Sequence, residues 1–189
     1  MKIVGVGCGK DMLSQQATAA ISEAKRIFGS ARAIELAADY IQDSAIVAEI
    51  TDYKALRSLP EDAVVLSTGD PLMAGLGYLD GEIISGISSL QTAYARLHAS
   101  WANAAVVNAH GKSHEAAVQQ AARDVAAGHS VFIIADPDFS VQKLAEALPR
   151  DARIAVCENL GYENEAVRLG DAEHPPAVLA GLFCVVCGY

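Results

Sequence analysis

"AVVLSTGDPLMAGLGYL", residues 63–79, starts as a strand and breaks in its middle. Val64, Val65 and Leu66 form an apolar run of strand type, and Gly69, Asp70 and Pro71 then interrupt it. Asp70 suits a helix N-cap, and Pro71 suits the first helical position, where its missing N–H is not needed. Gly69 lets the backbone turn, or lets a ligand approach it closely. A strand that passes through a glycine turn into a capped segment is the elementary unit of an α/β fold. The charge at this turn narrows the ligand. A carboxylate at a helix start takes the place a phosphate would occupy, so the turn suits a ligand without phosphate, carrying positive charge.

The same rhythm extends in both directions. "KIVGV" (2–6) reads as a strand, followed by a helix over 14–28 with Ala17, Ala20, Ile21, Ala24, Ile27 and Phe28 on one face and Gly29 as its stop. "AIVAEI" (45–50) reads as a strand, and residues 52–58 as a short helix. "SSLQ" from Ser88 makes a capping box for a helix that buries Leu90, Ala93, Tyr94 and Leu97. "AAVVNA" (104–109) is the next strand. A helix over 114–127 follows, capped by Ser113, stopped by Gly128, and burying Val118, Ala121, Ala122 and Val125. Beyond it come "SVFIIA" (130–135), a helix opened by Ser140 and running to Leu148, "RIAVCE" (153–158), a segment at 165–169 and "LFCVVCG" (182–188). Strands alternating with helices imply crossovers and largely parallel pairing, so the fold class is α/β. Two domains are expected, 1–109 and 110–189, divided at "AHGKSHE".

Composition excludes several function classes. Of the 189 residues 52% are hydrophobic and 20% charged, the balance of a globular chain rather than a disordered one. A net charge of −9 opposes nucleic-acid binding, which needs a basic footprint. No apolar run reaches the roughly 20 residues of a membrane helix. The opening "MKIVGVGCGKDM" has too short an apolar run for a signal peptide, so a cytoplasmic location is expected. Free thiols follow from that location. "CVVC" (184–187) lies in a strand, where its two sulfurs point to opposite faces, and no second pair completes a zinc site. His110 and His114 stand four apart, but Gly111 and Ser113 favour a loop there and no Cys or Asp completes a ligand set. No metal is assigned.

Four stretches lie at the carboxyl ends of strands, where ligands gather in open α/β sheets. They are "VGVGCGKDMLS" (4–14), "STGDP" (67–71), "EIISGISSLQTAYARL" (82–97) and "VCENLGYENEAVRLG" (156–170). The glycines at 5, 7 and 9 follow neither the dinucleotide-binding nor the P-loop spacing.

In order, "GVGCGKDMLS", "STGDPLMAGLG", "ISGISSLQTAYARL", "NAHGK" and "VCENLGYENE" resemble the tetrapyrrole methylase family over nearly the whole chain. Within it they are most similar to the branch that methylates carbon 5 of cobalt-precorrin-7 in cobalamin synthesis. The resemblance implies two α/β domains, S-adenosylmethionine in the cleft between them, a tetrapyrrole substrate and a homodimer. It leaves decarboxylation and carbon-15 methylation to a separate protein. By motif position it assigns the methyl donor to Gly9, Lys10, Thr68, Gly69, Asp70, Met73, Ser88, Ser89, Ala135, Asn159 and Leu160. Lys10, Arg96, His110 and Lys112 are expected toward the carboxylates of the substrate, and Asp70 or His110 is the candidate general base. Lys10 stands where the family commonly has proline, Asp11 and Ser14 replace Gly and Thr, and the segment between Leu76 and Ile83 is short. A diphthine synthase-like methyltransferase, and a nucleotide-binding oxidoreductase or binding module, are the alternatives.

Overall fold

Residues Met1–Tyr189 are all described by a computed structural model. The chain divides into two compact units, Met1–Ser89 and Leu90–Tyr189. This differs from the expected division at 109/110. The strand at 104–108 pairs with the strand at 130–134, so the second unit includes both it and the helix before it.

The first unit is a parallel sheet of β1 (Lys2–Gly5), β2 (Arg26–Gly29), β3 (Ile46–Glu49), β4 (Ala63–Ser67) and β5 (Glu82–Ile84), in the order β3-β2-β4-β1-β5. β4 is buried at every position, which is why its run is continuously apolar rather than alternating. Two helices pack on this sheet, α1 (Gln15–Ser22) and α2 (Ala31–Ala37). Ser14 Oγ accepts from Ala17 N–H at 3.1 Å, and Ser30 Oγ from Ala33 N–H at 3.2 Å, fixing where each helix begins. Ala17, Ile21, Ile27, Ala33 and Leu66 lie in one core cluster on that face. Ile3, Val65, Leu56, Leu76 and Leu79 form the core on the other.

The helix expected over 14–28 is shorter, and its second half is a strand. α1 ends at Ser22, and Arg26–Gly29 forms β2 between β3 and β4. Gly29 therefore ends a strand rather than capping a helix. A Cβ there would lie 3.1 Å from Leu66 Cβ and 3.2 Å from Ile34 Cγ1, so the glycine lets α2 pack close to β4. Residues 55–58 form a single 3-10 turn where a short helix was expected.

The second unit contains β6 (Ala104–Asn108), β7 (Ser130–Ile134), β8 (Arg153–Glu158), β9 (Ala166–Asp171) and β10 (Phe183–Cys187), in the order β6-β7-β10-β8-β9. Only β6 and β7 run parallel. β10 is antiparallel to both β7 and β8, and β8 to β9, so largely parallel pairing holds for the first sheet alone. Its helices are α3 (Ser89–Arg96), α4 (His114–Ala126) and α5 (Val141–Ala147). Ser113 and Ser140 cap α4 and α5 as their positions predict. α4 buries Ala117 and Ala121, with Val118, Ala122 and Val125 packed at the margin of the core. On α3 Leu90, Ala93 and Tyr94 are buried and Leu97 is half-buried. The Tyr94 hydroxyl donates to Ser130 Oγ at 2.9 Å, which satisfies both buried groups.

None of the four cysteines forms a disulfide. Cys184 and Cys187 are buried on β10, and burial pushes the Cys187 thiol up to about 12.

Candidate functional site

β1, β4 and β5 are parallel neighbours, so the turns that leave them emerge at one edge of the first sheet. Glycine lets these turns touch through their backbones. Gly69 N–H donates to the Gly7 carbonyl at 2.7 Å, and Gly7 N–H returns a bond to the Gly69 carbonyl at 3.3 Å. Cys8 N–H donates to the Ile87 carbonyl at 3.0 Å, joining the third turn to the first. A Cβ on Gly5 would stand 2.5 Å from Gly86 N, and one on Gly86 would stand 2.2 Å from the Gly69 carbonyl oxygen. No side chain fits at either position. Gly69 is different: a Cβ there would meet only Ser88 Cα, at 3.6 Å, and its φ of +69° is what calls for glycine.

Asp70 ties this cluster together. Its Oδ1 accepts from Leu72 N–H at 2.9 Å and from Met73 N–H at 3.4 Å, while Oδ2 accepts from Gly86 N–H at 3.2 Å. The capping geometry expected of Asp70 is present, but the segment after it makes one turn rather than a helix. Ala74 N–H bonds back to the Asp70 carbonyl at 2.9 Å, and Gly75 at φ +81° then ends the turn. Gly75 and Gly77 are poor helix formers and account for the early stop. The amides that would cradle a phosphate here are already bonded to a carboxylate. Those amides are not open to a pyrophosphate, and the turn carries a half-buried carboxylate instead.

The other motif residues of this unit lie around the cluster. Gly9 is buried, while Lys10 is exposed beside Asp11, whose φ is +57°. Thr68, Asp70 and Met73 are half-buried, Ser88 is buried, and Ser89 is the first residue of α3. A residue that the motifs did not indicate also reaches this edge: Arg32 of α2 donates from Nη2 to Thr68 Oγ1 at 3.3 Å. The signal was hidden because residues 14–28 read as one helix, leaving α2 unrecognised.

In the second unit the polar residues at strand ends form two groups. Asp136, just after β7, accepts from Gly111 N–H at 3.0 Å and Asp138 N–H at 3.2 Å, and it contacts His114 Nε2 at 3.0 Å. The Gly111 amide and then His114 hold its carboxyl below the usual carboxylate range. Asp136 was not singled out from sequence, although its Asp-Pro pair at a strand end parallels "GDP". His110 and Lys112 are exposed on the same loop, and Ala135 is half-buried beside it.

The second group follows β8. Asn159 has a φ of +48°, donates its N–H to the Leu182 carbonyl at 3.0 Å and accepts from Tyr162 N–H at 3.0 Å, with Leu160 buried beside it. Arg96, expected to face substrate, forms an ion pair with Glu165, which also accepts from Gly161 N–H at 2.7 Å. The Arg96 bond and the Gly161 amide lower the Glu165 carboxyl. Glu158, 2% exposed, accepts from Arg168 Nε at 3.2 Å and from the amides of Leu179 and Ala180, the latter at 2.9 Å. It is a buried carboxylate with its partners in place, anchoring residues 179–180. No group of three or more His, Cys, Asp or Glu is placed to hold a metal.

A family model for Tetrapyrrole (Corrin/Porphyrin) Methylases matches residues 2–176. The chain belongs to that family. It is similar to a probable cobalt-precorrin-7 C(5)-methyltransferase of Methanocaldococcus jannaschii, 29% identical over 187 residues, covering 88% of this chain and 87% of that one. Among solved structures it resembles the cobalamin biosynthesis precorrin-6Y methylase of Archaeoglobus fulgidus. There the TM-score is 0.71 at 30% identity, over 99% of this chain and 96% of that one. The fold is shared with uroporphyrin-III C-methyl transferase of Thermus thermophilus, solved with S-adenosyl homocysteine. That likeness has a TM-score of 0.74 at 15% identity, over 99% and 96% of the two chains. No helix is long and apolar enough to cross a membrane.

Proposed function

We propose that the chain is an S-adenosylmethionine-dependent methyltransferase acting on carbon 5 of cobalt-precorrin-7 in cobalamin biosynthesis. The observation that carries this reading is the glycine cluster closed by Asp70. Its turn amides are occupied by a carboxylate, which suits a donor whose charged groups are sulfonium, ammonium and carboxylate. The likeness to the Methanocaldococcus and Archaeoglobus proteins supports the choice of acceptor. A nucleotide-binding oxidoreductase would need free amides at this turn for its pyrophosphate.

S-adenosylmethionine, when bound, would supply an electrophilic methyl group for an electron-rich tetrapyrrole carbon, with S-adenosylhomocysteine as the leaving thioether. The residues of the chain then act mainly by holding the two reactants in attack geometry. Thr68, Gly69, Met73, Ser88 and Ser89 of the first unit, with Gly9 and Lys10, line the donor in this reading. Ala135, Asn159 and Leu160 of the second unit are the further residues that motif position assigns to the donor. Asp70, with both oxygens bonded to backbone amides, holds the turn in shape. His110, exposed on the loop after β6, takes the role of proton relay. Lys112 and Lys10 face the substrate carboxylates. The working form is a cytoplasmic homodimer, with decarboxylation and carbon-15 methylation left to another protein.

Calorimetry with S-adenosylhomocysteine, with NADH as the control, tests the donor. Binding of the former alone is expected, and binding of NADH alone would overturn the reading. Turnover of cobalt-precorrin-7 against a diphthamide-pathway elongation factor then separates the corrin methylase from a diphthine synthase-like enzyme.

A further inference from the structure

Arg32 is the one arginine in the chain that is half-buried and has no carboxylate partner. Arg26 pairs with Asp62, Arg96 with Glu165, Arg150 with Glu173 and Arg168 with Glu158. Arg123 bonds Gln120, while Arg57 and Arg153 lie over the rings of Tyr78 and Tyr189. Arg32 is half-buried, and its only polar contact is a 3.3 Å bond to the neutral hydroxyl of Thr68. Most of its N–H groups therefore have no partner in the protein, and no carboxylate neutralises it.

Its position does not serve the helix that carries it. Arg32 sits in the first turn of α2, where the helix dipole disfavours a cation, and no acidic residue of that turn compensates. What the position does achieve is placement. β2 lies beside β4, so the start of α2 stands at the sheet edge where Thr68 opens the glycine turn. A planar fork of donors at such an edge is suited to an anion taken bidentately, a carboxylate or a phosphate, and the ligands of the methyltransferase reading carry carboxylates and no phosphate.

We propose that Arg32 binds a carboxylate of the ligand at this edge, and that this carboxylate is an acid side chain of the tetrapyrrole. The proposal rests on the methyltransferase reading for its choice of ligand. The methyl donor also has a carboxylate, so the experiment carries an arm for each source. The two probes are S-adenosylhomocysteine, followed by calorimetry, and the corrinoid polyacid cobyrinic acid, followed by absorbance titration against its methyl ester. Wild type, Arg32→Gln and Arg32→Lys are compared, with thermal melts to establish that each variant is folded.

Losing a charged hydrogen bond predicts a rise in Kd for cobyrinic acid of about tenfold to a hundredfold in Arg32→Gln. Arg32→Lys, which keeps the charge but not the fork, falls between. The ester is expected to bind both proteins equally, and S-adenosylhomocysteine to bind them within about twofold, since no donor contact is removed. Weakened binding of S-adenosylhomocysteine with unchanged binding of cobyrinic acid would overturn the assignment to the tetrapyrrole and place the donor's carboxylate there. Unchanged affinity for both in a folded Arg32→Gln protein would overturn the carboxylate role altogether. Wild type that binds the polyacid through Arg32 but not S-adenosylhomocysteine would leave Arg32 standing and remove the methyltransferase reading. Wild type that binds neither would overturn both.

Discussion

Gly86→Ala is the substitution for which the structure gives the sharpest expectation. The added Cβ would lie 2.2 Å from the Gly69 carbonyl oxygen, 2.8 Å from Gly5 C and 2.9 Å from Gly5 Cα. All three are backbone atoms in or directly beside strands, so no side-chain rotation relieves the contact. Overpacking typically costs about 1–3 kcal/mol, and a clash with backbone on two strands belongs at the upper end. The same displacement pulls Gly86 N–H from Asp70 Oδ2, a hydrogen bond to a charged group that contributes about 1.5–3 kcal/mol. Together these give a loss of about 4–6 kcal/mol, enough to weaken the first unit severely. Gly75→Ala is the internal comparison. A Cβ there meets nothing within 4 Å, and only its φ of +81° is strained, for about 1–2 kcal/mol. Urea unfolding followed by circular dichroism, together with calorimetry of S-adenosylhomocysteine, reads both variants. Gly86→Ala is expected to lose more stability than Gly75→Ala and to lose donor binding as well. Equal destabilisation, or full donor affinity in Gly86→Ala, would refute the view that backbone contact among the three turns builds the site.

Asp70→Asn keeps an acceptor for the Leu72 and Met73 amides and is expected to retain measurable turnover; Asp70→Ala loses all three bonds and should destabilise by about 2–5 kcal/mol. Abolished turnover in Asp70→Asn with full donor affinity would instead mark it as the base. Glu165 has a folded-state pKa lowered by Arg96 and the Gly161 amide, so its contribution is present above the ordinary carboxylate value of about 4.3 and is lost as pH falls through the lower folded value. Arg96→Gln should therefore flatten the acid limb of the stability profile below about pH 4.5, as measured by urea midpoints. Cys8 is the half-buried thiol, whereas Cys157, Cys184 and Cys187 are buried and Cys187 is pushed up to about 12; in native protein at neutral pH a chromogenic disulfide should label Cys8 alone, as peptide mapping would check.

Much of this fold can be read residue by residue. Serines at 14, 113 and 140 start their helices because a side-chain oxygen satisfies an amide that the helix leaves open. Residues 63–67, 130–134 and 153–158 are strands because their apolar runs are too short for buried helices and β-branched throughout much of their length. The misreading at 14–28 has a specific origin. Ile27 and Phe28 continue the 3.6-residue stripe of α1, and Gly29 follows them as a helix stop would. Only the vacancy between β3 and β4 makes a strand the better place for them. That error concealed α2, and with it Arg32. At the site, the turn at Gly69-Asp70 was legible from its local chemistry. Its closure by Gly86, 16 residues further on, was not, because a close approach of two backbones leaves no periodic trace. The pairing of Arg96 with Glu165, 69 residues apart, was hidden for the same reason.

The strand order also sets a schedule. In the first unit an interior strand, β1, is the first to be made, and later strands can dock on it as they appear. In the second unit the central strand is the last, since β10 separates β7 from β8 and pairs with both. Until residues 183–187 leave the ribosome, that sheet exists as two fragments, β6-β7 and β8-β9, each with a bare apolar edge. Such edges invite pairing with other chains. The second sheet therefore closes only after β10 has emerged, so protease resistance in stalled nascent chains should reach the second unit only when β10 has cleared the exit tunnel.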